Sequence, residues 1–466
     1  MKKVLIFALV LIIAVALVGP KIVGSQLQGG IQDTVNAINK NPNYTASITS
    51  LESTWFTTTA EVSIGLDMPE YTGQVPVDFS VNVNLNSHHG PILTRDGFAI
   101  AWLHTLIQTK STETPEGLVL PVNKPFYQFK GITGLLGTTT YQDEVATINY
   151  TDPETGGTVV FSGLQGFGEI SGSGLSYKAT ADSMNMAIEN TLDFDVQGLT
   201  INVKSSESLA VMMSQGLYDA NSTLGIDVVT FKDLMLGTES RTVDTKLTVL
   251  TEYDRTNGMG NVKITTTIAS LDTSDMALTD VNTVIELNKL QAKFLLAYQD
   301  FSNKMMANIA DPTQVENDLQ AFMQDHLLEQ LQASPEYNIS KLSGKINGSE
   351  FDGKIMAKLS GVTELPMSLE DPAFWMQHTV IDSKMKMQKG AAQFIATQVV
   401  SSQLLANPQF MQLGEEERTQ IINQQVEGML AGLVQQGMIT LEDEEYIATF
   451  TMVGGAALLN GNPIPL

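Results

Sequence analysis

From Trp55 to about Leu287 apolar and polar residues alternate with a period of two. Phe56, Thr58, Ala60, Val62, Ile64 and Leu66 interleave with Thr57, Thr59, Glu61, Ser63 and Gly65. Val77, Phe79, Val81, Val83 and Leu85 do the same with Asp78, Ser80, Asn82 and Asn84. Successive side chains of a strand point to opposite faces, so each run predicts a strand with one apolar face. The pattern returns at Leu192, Phe194 and Val196, at Leu199, Ile201 and Val203, at Leu247 and Val249, and at Val262, Ile264 and Ile268. Turn residues at 152–157 separate an Ile148 strand from a Val159 strand, and Thr256-Asn257-Gly258 divides two more. The order predicts a long antiparallel meander, which can close into a sandwich or barrel or stay open as a curved sheet with an apolar concave face. Two interruptions are expected. Ile100, Trp102, Leu103 and Leu106 fall near helical spacing, predicting a helix over Ala99 to Thr109, and the glycines of 163–174 predict bends or bulges.

After Asn288 the period becomes helical. Leu290, Phe294, Tyr298, Phe301 and Met305 share a stripe, and Asp311-Pro312 supplies an N-cap and first-turn proline for a second helix carrying Val315, Leu319, Phe322 and His326. Tyr337, Ile339, Ile346, Phe351, Ile355 and Leu359, broken by Asn347-Gly348, read as a hairpin. The order then recurs. Met385, Met387, Lys389 and Phe394 stand about a hundred residues after Ile285, Leu287, Lys289 and Phe294, and a helix with Ile422, Val426, Met429 and Leu433 leads to another hairpin. Ile447 and Gly454 match Ile346 and Gly353 at a similar offset. A duplicated strand, helix, helix, hairpin unit is expected, at 281–376 and 377–466, behind a β-rich region at 24–280.

The first residues carry a different signal. Lys2 and Lys3 precede an unbroken apolar run from Val4 to Val18, and lysines before such a run stay cytoplasmic. Residues 1–23 read as a retained anchor, since counting Gly19, Pro20, Ile22 and Val23 gives about twenty residues, enough to span roughly 30 Å. Pro20 is expected to kink or end the helix. The alternative is a signal peptide cut at Ala14-Val15-Ala16.

Composition narrows the function. A net charge of -25 over 466 residues repels phosphate backbones, so nucleic acid is not a partner. Without cysteine there is no disulfide, thiolate metal site or thiol nucleophile. Five histidines offer little chemistry. His88 and His89 are adjacent and point to opposite faces of a strand, and His89-Gly90-Pro91 reads as a strand end. His104, His326 and His378 lack partners at ligand spacing. Gly163, Gly166 and Gly168 lack the context of a dinucleotide loop, and the acids of 415–417 and 442–445 suit a helix start and a hairpin turn better than a calcium loop. Met376, His378, Met385 and Met387 suit apolar lining better than a soft-metal site. No catalytic, cofactor or metal residue is assigned.

Trp55-Phe56-Thr57-Thr58, His89-Gly90-Pro91 after a long strand, Gln425-Val426-Glu427, and Ala457-Leu458-Leu459-Asn460-Gly461 follow one another behind the lysine-tagged run. In that order, over nearly the whole chain, they resemble the YdgA family of bacterial envelope proteins. The resemblance implies a Gram-negative inner-membrane protein with a periplasmic body, a homodimer and no catalytic residues to carry over. The expected fold is α+β: an N-terminal transmembrane helix, an extended antiparallel sheet and two C-terminal helix-bearing units. The expected function is non-enzymatic binding of a lipid or envelope protein by an apolar sheet face. The alternatives are an envelope hydrolase using His88, His89, Asp193 or Asp195, and a structural dimer scaffold.

Overall fold

The computed structural model describes residues 2–39, 44–68, 77–95, 97–109, 117–119, 124–208, 211–212, 216–307, 311–405 and 408–464, with side chains in the first helix from Val18 onward. Contacts divide the chain into two compact units, Met1–Leu224 with Leu295–Met323, and Gly225–Phe294 with Gln324–Leu466.

In the first unit α1 runs from Lys2 to Ile38, so Pro20 does not end it. A helical proline forfeits a backbone hydrogen bond and crowds the preceding turn, but here tertiary packing holds the helix together. Pro20 is fully buried, Ile31 and Val35 are core residues, and the bare faces of Gly19 and Gly24 lie against Trp102 and His89. The apolar side chains from Val4 to Leu17 lie outside the described residues, and among the described residues no helix is long and apolar enough to cross a membrane.

The strands of this unit are β1 (Tyr44–Ser53), β2 (Thr57–Met68), β3 (Val77–His89), β4 (Ile92–Leu93), β5 (Ala99–Thr109), β6 (Leu118–Val119), β7 (Tyr127–Gly134) and β8 (Thr139–Val145). They continue as β9 (Ile148–Thr151), β10 (Thr158–Phe161), β11 (Leu164–Ser171), β12 (Gly174–Ile188) and β13 (Leu192–Ser205). Antiparallel pairing runs β1–β2–β3–β5–β7–β8–β11–β12–β13. The β9–β10 hairpin pairs with the far half of β12, beyond β11. Two expectations are corrected. Ala99–Thr109 is a strand, because Ile100, Trp102, Thr105, Ile107 and Thr109 are β-branched or aromatic and β3 and β7 flank it with pairing partners. Gly163 lies at the break between β10 and β11 and Gly172 in the turn before β12, as expected, but Gly166 and Gly168 sit in unbroken register inside β11, where their missing side chains admit Tyr177 and Tyr141 over the sheet.

In the second unit β14 (Ala220–Asp233) is followed by β15 (Thr238–Asp254), β16 (Met259–Asp272), β17 (Ala277–Gln291), α2 (Ala292–Ala307) and α3 (Pro312–Gln332); β14, α2 and α3 each straddle the division between units. The hairpin β18 (Glu336–Ile346) and β19 (Ser349–Leu359), α4 (Pro372–His378), β20 (Thr379–Gln388), α5 (Lys389–Leu405), α6 (Pro408–Met411) and α7 (Glu415–Gln435) come next. The chain closes with β21 (Thr440–Glu442), β22 (Glu445–Val453), β23 (Ala456–Leu459) and β24 (Asn462–Ile464). Pairing runs in chain order from β15 to β20, then through β22, β23 and β24. Local signals set the helix starts: Asp311 accepts a hydrogen bond from the Gln314 amide, Asp371 one from Ala373, and Glu415, Glu416 and Glu417 occupy the positive end of α7.

Two segments of this unit share a connectivity. β17 leads into two helices and β18 returns beside it, with Leu287 opposite Tyr337 and Asn288 opposite Glu336. β20 likewise leads into helices and β22 returns beside it, with Met387 opposite Tyr446 and Gln388 opposite Glu445. Lys289 pairs with Glu336 at 2.7 Å, and Lys389 with Glu444 at 2.8 Å. Glu445 and Tyr446, rather than residues set by Ile447, thus take the places of Glu336 and Tyr337.

Candidate functional site

One face of the second unit's sheet is apolar across several strands. Val249, Ile264, Ile285, Ile339 and Ile355 stand opposite one another from β15 to β19. Ile355 is opposite Ser383 on β20, and the neighbouring row on the same face takes Gly353 to Met385 and Met385 to Ala448. These side chains are not sealed in. Val249, Ile264, Ile285 and Ile339 are half-buried, Ile355 is exposed, and in β15, β16 and β17 only Gly260 is buried.

At its C-terminal end this face runs beneath α5 and α7, whose Ala396, Val400, Val426 and Leu430 form a buried cluster flanked by Ile439 and Tyr446. Between helices and sheet lies an apolar cavity of about 290 Å³. Ala392, Ile395, Ala396 and Val399 of α5, and Met429, Leu430 and Leu433 of α7, form its walls. Met385 and Met387 of β20 with Tyr446 and Ala448 of β22 form its floor. Gly353 has no side chain, and a Cβ there would come within 2.9 Å of the Met385 sulfur, so the methionine lies across it. Ile395 and Val399, 40% and 42% exposed, stand at the mouth. The Tyr446 hydroxyl is the lining's one polar side-chain group, so the cavity suits a ligand segment that brings no hydrogen-bonding group. Sequence reading reached the floor methionines and the α7 stripe. It missed Ala392, Ile395, Ala396 and Val399, although their three- and four-residue spacing marks one helix face.

Met385 and Met387 apart, the candidates for chemistry do not line this cavity. His89 is buried beside fully buried Thr58, with its Nε2 3.0 Å from the Thr58 hydroxyl and its Nδ1 3.4 Å from the Trp55 carbonyl. Burial holds its pKa below the usual histidine value, and the Trp55 carbonyl acts against that shift. His88 lies across the sheet from His104, a juxtaposition the sequence spacing concealed, and its Nε2 accepts a 2.7 Å bond from Arg95. Asp193 accepts from Asn185, and Asp195 from Gln197. His378 Nδ1 is 3.0 Å from the Ser360 carbonyl, and His326 is half-buried on α3. Among the histidines and the two aspartates, as far as the residues are described, His88 and His104 are brought together, on paired strands.

A cluster of shifted titratable groups lies in the first unit, where Tyr141 stacks between Phe129 and Tyr177. Burial, then the nearby Asp143 charge, pushes the Tyr127 phenol up to about 12. Burial raises Asp143, opposed by a 3.1 Å bond donated by Tyr177. A smaller cavity of about 180 Å³ near Lys124, Ser162 and Asp182 contains no histidine, and Ser162 Oγ accepts from the Ser183 amide. Among the described residues no cluster of three or more metal-ligating side chains occurs.

Over residues 1–466 the chain matches a family described as a bacterial protein of unknown function, DUF945. No curated protein and no solved structure gives a significant match.

Proposed function

Because the chain belongs throughout its length to this bacterial family of unknown function, we propose a function from the geometry: non-enzymatic binding of a lipid acyl chain in the cavity beneath α5 and α7. The protein so read is a single-pass envelope protein of the YdgA kind, anchored in the inner membrane by its N-terminus with a periplasmic body. One observation carries the reading: an apolar sheet face with half-buried side chains that continues into an apolar cavity with an open mouth. Exposed, contiguous apolar surface commonly marks a binding site. An acyl chain fits such a lining, whereas a peptide would leave amides unpaired there at about 1–3 kcal/mol each.

Displacement of a fluorescent, uncharged diacylglycerol analogue from the full-length protein tests this. Ile395→Asn places a polar group at an exposed position of the mouth, where the fold tolerates it. Losing roughly half of a buried isoleucine's stabilisation weakens binding by about tenfold. Absence of saturable binding to the unmodified protein, or equal affinity in the variant, contradicts the assignment.

A further inference from the structure

We propose that the apolar knobs around the exit of α1 from the first unit's sheet form a bilayer-contacting surface. Gly19 is where the helix meets the sheet, since a Cβ there would come within 2.7 Å of the Trp102 ring. Just at that point Val18 and Ile22 of α1 are 52% and 54% exposed. Around Trp102 the chain presents a further set of uncovered side chains. Ile92 and Ile100 are directly paired between β4 and β5 and are 62% and 61% exposed, and Phe98, before β5, is 74% exposed. Ala101 pairs with Gly134, which brings Leu135 and Leu136 of the β7–β8 turn alongside, and the Trp102 indole N–H donates to the Leu135 carbonyl at 3.1 Å. Leu136 is 98% exposed.

Two features select a bilayer as the occupant. First, the patch surrounds the residue at which the apolar run Val4–Val18 ends, so a chain anchored by that run holds these side chains at the membrane surface. Second, the patch is spared the acidity of the rest of the molecule. Segments 18–32, 90–104 and 131–138 contain one acid, Asp96, beside Lys21 and Arg95, in a chain with 51 acids and 26 lysines and arginines. Exposed apolar tips with a nearby tryptophan and basic side chains match the layered chemistry of a lipid interface. A protein partner would gain more from a concave or flat surface than from separate turn tips.

The inference rests on the anchor reading, and the test separates the two. Because the chain has no cysteine, single Leu136→Cys, Phe98→Cys, Leu11→Cys and Glu154→Cys variants of the full-length protein can each carry a nitrobenzoxadiazole label. They are reconstituted into phosphatidylcholine–phosphatidylglycerol vesicles containing headgroup- or acyl-spin-labelled lipid. Glu154, on the β9–β10 turn, serves as the aqueous reference. The surface exists if labels at 136 and 98 are blue-shifted and quenched severalfold more than the label at 154. If the label at 11 is quenched while those at 136 and 98 behave like 154, the surface is refuted and the anchor stands. If none is quenched, both fail. Blue-shifted but unquenched labels at 136 and 98 show that another copy of the chain covers the patch, and also refute the proposal.

Discussion

His89 is a buried side chain that makes the folded chain sensitive to mild acid. It is 3% exposed, and its Nδ1–H donates to the Trp55 carbonyl, leaving Nε2 to accept from Thr58, itself hydrogen-bonded to Ser53 at 2.9 Å. Burial, followed among the unfavourable influences by His88 and Lys21, keeps the ring neutral in the folded chain. The unfolded histidine takes up a proton as pH falls below about 6.5, so this contribution is intact above that value and is lost as pH drops toward the folded pKa. The unfolding temperature should fall between pH 7.5 and 5.5, and His89→Gln should flatten that fall. Equal slopes in the two proteins count against the assignment. Packing and ion pairs differ sharply in weight here. Leu430→Ala opens the α5–α7 cluster and should cost about 2–5 kcal/mol in denaturant unfolding. Lys289→Ala breaks a part-exposed pair, 47% and 27% exposed, and should cost about 0.2–1 kcal/mol. Sequence spacing placed His89 at a strand end but could not reveal Thr58, because that contact depends on the pairing of β2 with β3.

Among the elements, α1 depends most on small residues. A Cβ on Gly24 would come within 2.5 Å of the His89 ring and 3.0 Å of the Ser53 hydroxyl. Gly24→Val should therefore lift the helix and raise amide exchange across residues 18–38 severalfold, with little change in β15–β17. Unaltered protection of the helix would show that it does not rest on this contact. Strands with strict alternation, such as β2 and β16, were legible from pattern alone, as were the turns at Asn257-Gly258 and Asn347-Gly348. β5 was not: its apolar residues also fit a helical stripe, and only the partners β3 and β7 decide the matter. That the helix continues past the buried Pro20 was hidden for a similar reason, since the strands packed against it are distant in sequence. α4 was overlooked although Asp371-Pro372 is a cap signal of the same kind as Asp311-Pro312. We read the shared connectivity of β17–β18 and β20–β22 as an internal duplication. The paired positions Asn288 and Gln388, Glu336 and Glu445, and Tyr337 and Tyr446 support it.

For the molecule as a whole, the proposed function depends on what the second unit does with its apolar face. Period-two alternation predicts that such a face exists, and the helical stripe of α7 predicts that something packs on it. Neither states how far the helices reach, because coverage depends on where α5 and α7 dock and on how many strands lie beyond them. The docking covers the end near β20 and β22, while from β15 to β17 the apolar side chains remain half-buried. The most direct measurement is native mass spectrometry of the full-length protein extracted gently from membranes. The expected result is a bound species with the mass of a lipid, released by organic extraction and reduced in occupancy by Ile395→Asn. A chain that carries no lipid, and takes up none when offered phospholipid vesicles, would contradict it.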